Sequence, residues 1–157
     1  MAQEIERKFL LTSEAWRDEV DSSCHYAQGY LSNSERVSIR IRTSGKKAYL
    51  NFKSATLGIS RSEYEYEIPL SDADEMLASF AEGPLIEKVR YFVKRDSHLW
   101  EIDVFEGDNA GLVVAEIELA SEDEAFDRPA WIGEEVSSDP RYYNVCLVTH
   151  PYCQWTD

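Results

Sequence analysis

Apolar and polar residues alternate with a period of two along most of this chain, and eight stretches carry the pattern as β-strands do. In Gln3–Leu11, Ile5, Phe9 and Leu11 fall on one side and Glu4, Glu6 and Lys8 on the other. His25–Leu31 alternates less cleanly. Arg36–Thr43 sets Val37, Ile39 and Ile41 against Arg36, Ser38, Arg40 and Arg42, and Lys47–Ser54 sets Ala48, Leu50 and Phe52 against Tyr49, Asn51 and Lys53. Ser62–Leu70 opposes Tyr64, Tyr66 and Ile68 to Glu63, Glu65 and Glu67. Glu87–Arg95 opposes Val89, Tyr91 and Val93 to Lys88, Arg90 and Lys94, and His98–Phe105 opposes Ile102 and Val104 to Glu101 and Asp103. Leu112–Leu119 completes the set, with Glu116 and Glu118 against Ala115, Ile117 and Leu119. The links Ser32–Ser34, Ser44–Gly45 and Asp96–Ser97 are short enough for hairpins, so the strands pair mostly antiparallel. Helical candidates are Ser13–Val20, Ser71–Phe80 behind a Ser-Asp-Ala-Asp start, Ser121–Phe126 and Tyr142–Thr149.

A half-buried sheet normally turns polar side chains to water. Here the polar faces carry pairs of one sign at i, i+2: Glu4/Glu6, Arg40/Arg42, Glu63/Glu65, Lys88/Arg90, Glu101/Asp103 and Glu116/Glu118. Such neighbours lie ~6.5–7 Å apart and repel unless opposite charge intervenes. Eight strands suffice to close a small barrel around one small ligand. The expected fold is therefore α+β: a closed, mostly antiparallel eight-stranded barrel with its charged faces inside and short helices packed outside. An open sheet with an ionic outer face is the competing arrangement.

Charge along the chain sharpens this picture. From Arg36 to Arg61 there are seven basic residues and no acidic one, whereas Asp96 onward holds fifteen acidic and two basic residues. Folding of one domain, expected to span residues 1–157, brings these regions together. The formal net charge of −14 argues against a nucleic-acid or anionic-membrane partner. No apolar run approaches the ~20 residues that span a bilayer. MAQEIERKFL lacks the apolar core of a signal peptide, and Cys24, Cys146 and Cys153 follow no CxxC spacing. A reduced, cytoplasmic protein without a zinc site is the expectation.

Inward-facing Lys8, Arg40, Arg42, Lys53, Lys88, Arg90 and Lys94 would need anions, and guanidinium groups match phosphate well. Clustered carboxylates are hard ligands suited to Mg²⁺ or Mn²⁺, which bridge to phosphates. The two walls together describe a polyphosphate site dependent on a divalent ion. Lys94 and Glu67 sit at strand ends as rim residues, and Arg36, Lys46, Lys47 and Arg61 are expected on the surface.

Glu4-Ile5-Glu6-Arg7-Lys8 resembles the ExExK signature of the CYTH superfamily, the triphosphate tunnel metalloenzymes. Arg40-Ile41-Arg42, Lys53, Glu63-Tyr64-Glu65, Lys88-Val89-Arg90, Glu101-Ile102-Asp103 and Glu116-Ile117-Glu118 follow in that family's order, as do Gly133–Val136 and Arg141–Asn144. The resemblance implies an eight-stranded tunnel that transforms a triphosphate with Mg²⁺ or Mn²⁺. It implies metal binding by Glu4, Glu6, Glu116 and Glu118, assisted by Glu63, Glu65 and Asp103. Lys8, Arg40, Arg42, Lys53, Lys88 and Arg90 would hold phosphates, and Lys8 and Lys88 would orient or deprotonate the attacking water. Tyr30, resembling a tunnel tyrosine of the short prokaryotic members, would join them as a catalytic residue. Arg141 and Asn144 would order the C-terminal segment over it. Among the family's activities, the short chain resembles most the bacterial enzymes that hydrolyse inorganic triphosphate. Class IV adenylate cyclase, thiamine triphosphatase and a non-catalytic polyphosphate module are the alternatives. A homodimer, common in the family, is left open.

Overall fold

The computed structural model describes residues 3–55 and 58–156. Among the described residues nine strands form: β1 (Gln3–Leu11), β2 (Ser22–Asn33), β3 (Val37–Thr43), β4 (Ala48–Ser54), β5 (Ser60–Ile68), β6 (Ile86–Arg95), β7 (His98–Phe105), β8 (Val113–Glu118) and β9 (Ile132–Glu135). The order is β5-β4-β3-β2-β6-β7-β8-β1, and β1 pairs back onto β5, so eight antiparallel strands close into a ring. β1 makes the closure by sharing one edge. Its first residues pair with β5 (Glu4 opposite Arg61), and its last with the short β9 (Phe9 opposite Glu135).

The outward faces bury the core. Phe9, Trp16, Val93, Trp100, Ile102, Ile117 and Trp131 pack together, with Phe9 and Trp131 edge-on to Trp100 at 5.7 and 5.8 Å. The 3-10 turn Ala15–Glu19 covers this cluster where the sequence suggested a longer helix. α1 (Leu70–Phe80) lays Ala73, Met76 and Leu77 on the outer face of β2–β4, against Ile41 and Ala48. It begins one residue earlier than expected, at Leu70, with Pro69 at the N-cap position and no side-chain cap. No helix forms over 121–126. There Glu124 folds back to accept from the Ala120 amide and meets His98, a local bond that competes with helix formation. α2 is limited to Asn144–Leu147, preceded by a 3-10 turn at Pro140–Tyr142.

One glycine shows how closely α1 is laid down. A Cβ at Gly29 would stand 2.7 Å from Leu77 Cδ2 and 2.8 Å from Leu85 Cδ2. Gly29→Ala is expected to cost about 1–3 kcal/mol through overpacking, read as a lower urea midpoint at unchanged m-value. A midpoint equal to that of the parent would show that α1 has room to move.

The interior is not charged throughout. Ile86 and Val114 share the alternation phase of Lys88 and Glu116, and Phe105 that of Asp103. With Tyr30, Leu112 and Leu147 of α2 they form an apolar cluster at one end of the ring. The charged lumen lies against this plug. No helix among the described residues is long and apolar enough to cross a membrane.

Candidate active site

The closed ring sorts charge by strand. In ring order, β7, β8, β1 and β5 are consecutive and bring Glu101, Glu116, Glu118, Glu4, Glu6, Glu63 and Glu65 to one arc of the lumen. The other four strands contribute Lys53 from β4, Arg40 and Arg42 from β3, and Lys88 and Arg90 from β6. Two cations cross over: Lys8 from β1 and Arg61 from β5. Seven carboxylates and seven cations thus line a single cavity of about 190 Å³.

Pairing within this set is uneven. Lys53 Nζ lies 3.1 Å from Glu4 and 3.6 Å from Glu63, and Arg90 reaches Glu101 at 2.9 Å and Glu116 at 3.2 Å. Lys8 Nζ is 3.6 Å from Glu116 and donates to the Tyr142 carbonyl at 3.1 Å. Among the described residues, Glu6 and Glu118 make no ion pair, and they face one another across the β1–β8 ladder as like charges. Burial, then repulsion from Glu116, pushes the Glu6 carboxyl up to about 8. Glu4 and Glu118 are also raised, each chiefly by burial. Glu116 moves the opposite way: burial opposes its charge, but Lys8 and Arg90 hold it well below the usual carboxylate range.

On the cationic arc, the Nε–H groups of Arg40 and Arg42 are buried and have no acceptor. A guanidinium donor buried without an acceptor costs free energy that an anion in the lumen would recover. Arg42 also lies 4.5 Å over the ring of Tyr26.

Several sequence expectations land elsewhere. Asp103 is wholly buried and absent from the cavity lining. Its oxygens accept from Arg90 Nε at 2.7 Å and from Arg90 and Lys88 Nζ at 2.9 Å each, so its lone pairs are committed to cations. Arg61, expected on the surface, lines the cavity 5.3 Å from the Tyr143 ring. Its position at the start of a strand concealed the phase it shares with Glu63 and Glu65. Asn51 donates to Glu63 and Glu65 at 2.9 and 3.2 Å, a role that its place in the Tyr49/Asn51/Lys53 alternation could have signalled. Ser137, Tyr143 and Asn144 reach the lumen from the segment after β9, which carries no alternation to betray them. Arg141 instead pairs outside with Asp139 at 2.8 Å. Lys94 is exposed and Glu67 sits beside Lys47 at 4.0 Å, both away from the cavity.

The acidic arc offers only oxygen donors. Among the described residues no three carboxylates converge into a preassembled ligand set. Oxygen donors of this kind suit a hard divalent cation that keeps some of its waters. Burial, with repulsion among neighbouring carboxylates, raises Glu6 and Glu4, and a divalent cation beside them would favour their charged forms.

A closed antiparallel ring with opposed acidic and basic arcs inside defines a tunnel-type site, and residues 2–144 match the CYTH domain. The chain belongs to that family. It is 46% identical over 152 residues to the inorganic triphosphatase of Acetivibrio thermocellus, covering 97% of each chain. It is 40% identical over 148 residues to that of Nitrosomonas europaea, covering 92% of this chain and 95% of the relative. The crystal structure of the inorganic triphosphatase NE1496 superposes with a TM-score of 0.64 at 35% identity, covering 94% of this chain and 95% of that one.

Proposed function

We propose that this protein hydrolyses inorganic triphosphate to pyrophosphate and phosphate with Mg²⁺ or Mn²⁺. The observation that carries the proposal is the pair of buried, acceptor-free guanidinium Nε–H groups facing a carboxylate arc in one small cavity. Two triphosphatase relatives spanning nearly the whole chain support the choice of substrate. A volume of about 190 Å³ lies below the ~300 Å³ at which pockets for drug-sized ligands begin, which favours an inorganic anion over a nucleotide.

Arg40, Arg42, Lys53 and Arg90 grip the phosphoryl oxygens. Glu4, Glu6, Glu116 and Glu118 hold the metal, with Glu63 and Glu65 binding it or its waters. The ion, when bound, neutralises charge on the transferring phosphoryl. Asp103 takes no part in metal binding in this scheme and fixes Lys88 and Arg90 instead. Lys8 and Lys88 orient a water for in-line attack on the terminal phosphorus. Its new P–O bond forms as the bond to the bridging oxygen breaks and pyrophosphate leaves. Tyr30 closes the lumen on the side of the apolar plug. The cationic arc suits a small anionic partner, the net charge of −14 argues against nucleic acid or an anionic membrane, and a cytoplasmic place of work belongs to the same reading.

Purified protein given triphosphate, ATP and thiamine triphosphate in turn, with Mg²⁺ or Mn²⁺, should release phosphate fastest from inorganic triphosphate. Cyclic AMP as the main product from ATP would replace the proposal with a cyclase, and binding without turnover would replace it with a polyphosphate module.

The role of Lys88 has its own signature in pH. Burial, only partly offset by Asp103, lowers its amine to about 8. As an ammonium donor it is lost when pH rises through that value, so kcat should fall above about pH 8. A rate that climbs to a plateau there would make Lys88 a general base.

A further inference from the structure

Lys8 and Lys88 stand on different strands, yet one segment reaches both. The Tyr142 carbonyl accepts from Lys8 Nζ at 3.1 Å, and two residues on, Asn144 Oδ1 accepts from Lys88 Nζ at 2.9 Å. Leu147, 1% exposed within the apolar plug, anchors the segment from the far side.

An ammonium has three donors. Asp103 takes one from Lys88 at 2.9 Å and Asn144 takes a second, while the Phe105 ring lies 5.5 Å away. One N–H is left for a ligand, and its direction is set by the other two. Asn144 can serve only if its amide presents oxygen. Gln28 Nε2 donates to that same Oδ1 at 3.0 Å, so a flipped amide would set NH₂ against both the ammonium and Gln28. Gln28 is itself fully buried, and its Oε1 has no partner. An unsatisfied buried carbonyl costs about 1–3 kcal/mol, which an apolar residue at that place would avoid. Packing alone does not explain a glutamine there.

We propose that Asn144, oriented by Gln28, is the positioning residue that aims Lys88 at the terminal phosphoryl and its attacking water, an assignment that rests on the triphosphatase reading. Neither residue touches the reacting atoms. Gln28 acts through Asn144, and Asn144 acts through Lys88.

The test is a double-mutant cycle on triphosphate hydrolysis by the metal-loaded enzyme. Asn144→Ala should lower kcat by about 10–100-fold with KM changed less than about threefold, and Gln28→Met should lower kcat by about 3–10-fold. The double variant should be no slower than Asn144→Ala, because Gln28 has no route to Lys88 without it. Asn144→Asp, which keeps an acceptor, should recover most of kcat. Effects that multiply in the double variant, or a loss confined to KM, would overturn the proposal. A second measurement needs no turnover: the ¹⁵N resonance of the Lys88 ammonium in the metal-free protein. Slow proton exchange in the parent and its loss in Asn144→Ala support the proposal; an unchanged signal ends it. A parent enzyme inert toward triphosphate would defeat the functional reading alone, since the resonance still decides whether Asn144 holds Lys88.

Discussion

Glu6→Gln is expected to make the metal-free protein more stable while removing most of its metal-supported turnover. Burial and the neighbouring Glu116 raise the Glu6 carboxyl to about 8. A carboxyl whose folded value lies above its unfolded one contributes stability fully present below the unfolded value, near 4.5, and lost as pH rises through the folded value. In chelator at pH 8 the buried anion is therefore a burden. A neutral amide of the same shape should add roughly 1–3 kcal/mol to the free energy of urea unfolding. The same change deletes a carboxylate charge that the proposed scheme turns toward the metal, and should lower turnover by about 10²-fold or more. Opposite signs in the two measurements mark a residue kept for chemistry at the expense of stability. Equal turnover in parent and variant would remove Glu6 from the site.

Asp103→Ala should have the largest effect on folding itself. The parent carboxylate is 0% exposed and bonded to both Lys88 and Arg90. Removing one partner of a buried ionic set leaves the others charged and uncompensated, at about 3–5 kcal/mol. For a domain of ordinary stability that is a large part of the whole, so urea unfolding should shift strongly or the variant should be recovered unfolded. Asp103→Asn, which retains hydrogen-bond acceptance, should lose less. If Asp103 were a metal ligand instead, Asp103→Asn would keep its unfolding curve and lose affinity for the divalent ion.

Period-two alternation made eight strands legible, and the recurrence of one charge sign per strand located the lumen. His98–Phe105 and Gln3–Leu11 form over the residues that the pattern indicates. What escaped has physical causes. β9 is four residues long and pairs only with the end of β1, too short for alternation to register. The apolar plug is built from Ile86, Phe105 and Val114, which extend the charged phase at strand ends, where a change from charged to apolar reads as termination. Alternation also cannot separate a carboxylate that faces the cavity from one that lies beneath it as a counter-ion, which is how Asp103 joined the expected metal set. Ser137 and Tyr143 arrive on a segment whose placement depends on tertiary packing of Leu147 and Tyr142.

In the proposed scheme the glutamates of β1 and β8 and the arginines of β3 act on one ligand inside the ring. Diffraction at the manganese absorption edge from crystals soaked in triphosphate and Mn²⁺ tests it directly. An anomalous peak is expected in the lumen beside Glu4, Glu6, Glu116 and Glu118, with phosphate density against Arg40 and Arg42. Manganese bound to surface carboxylates, with phosphate outside the barrel, would contradict it.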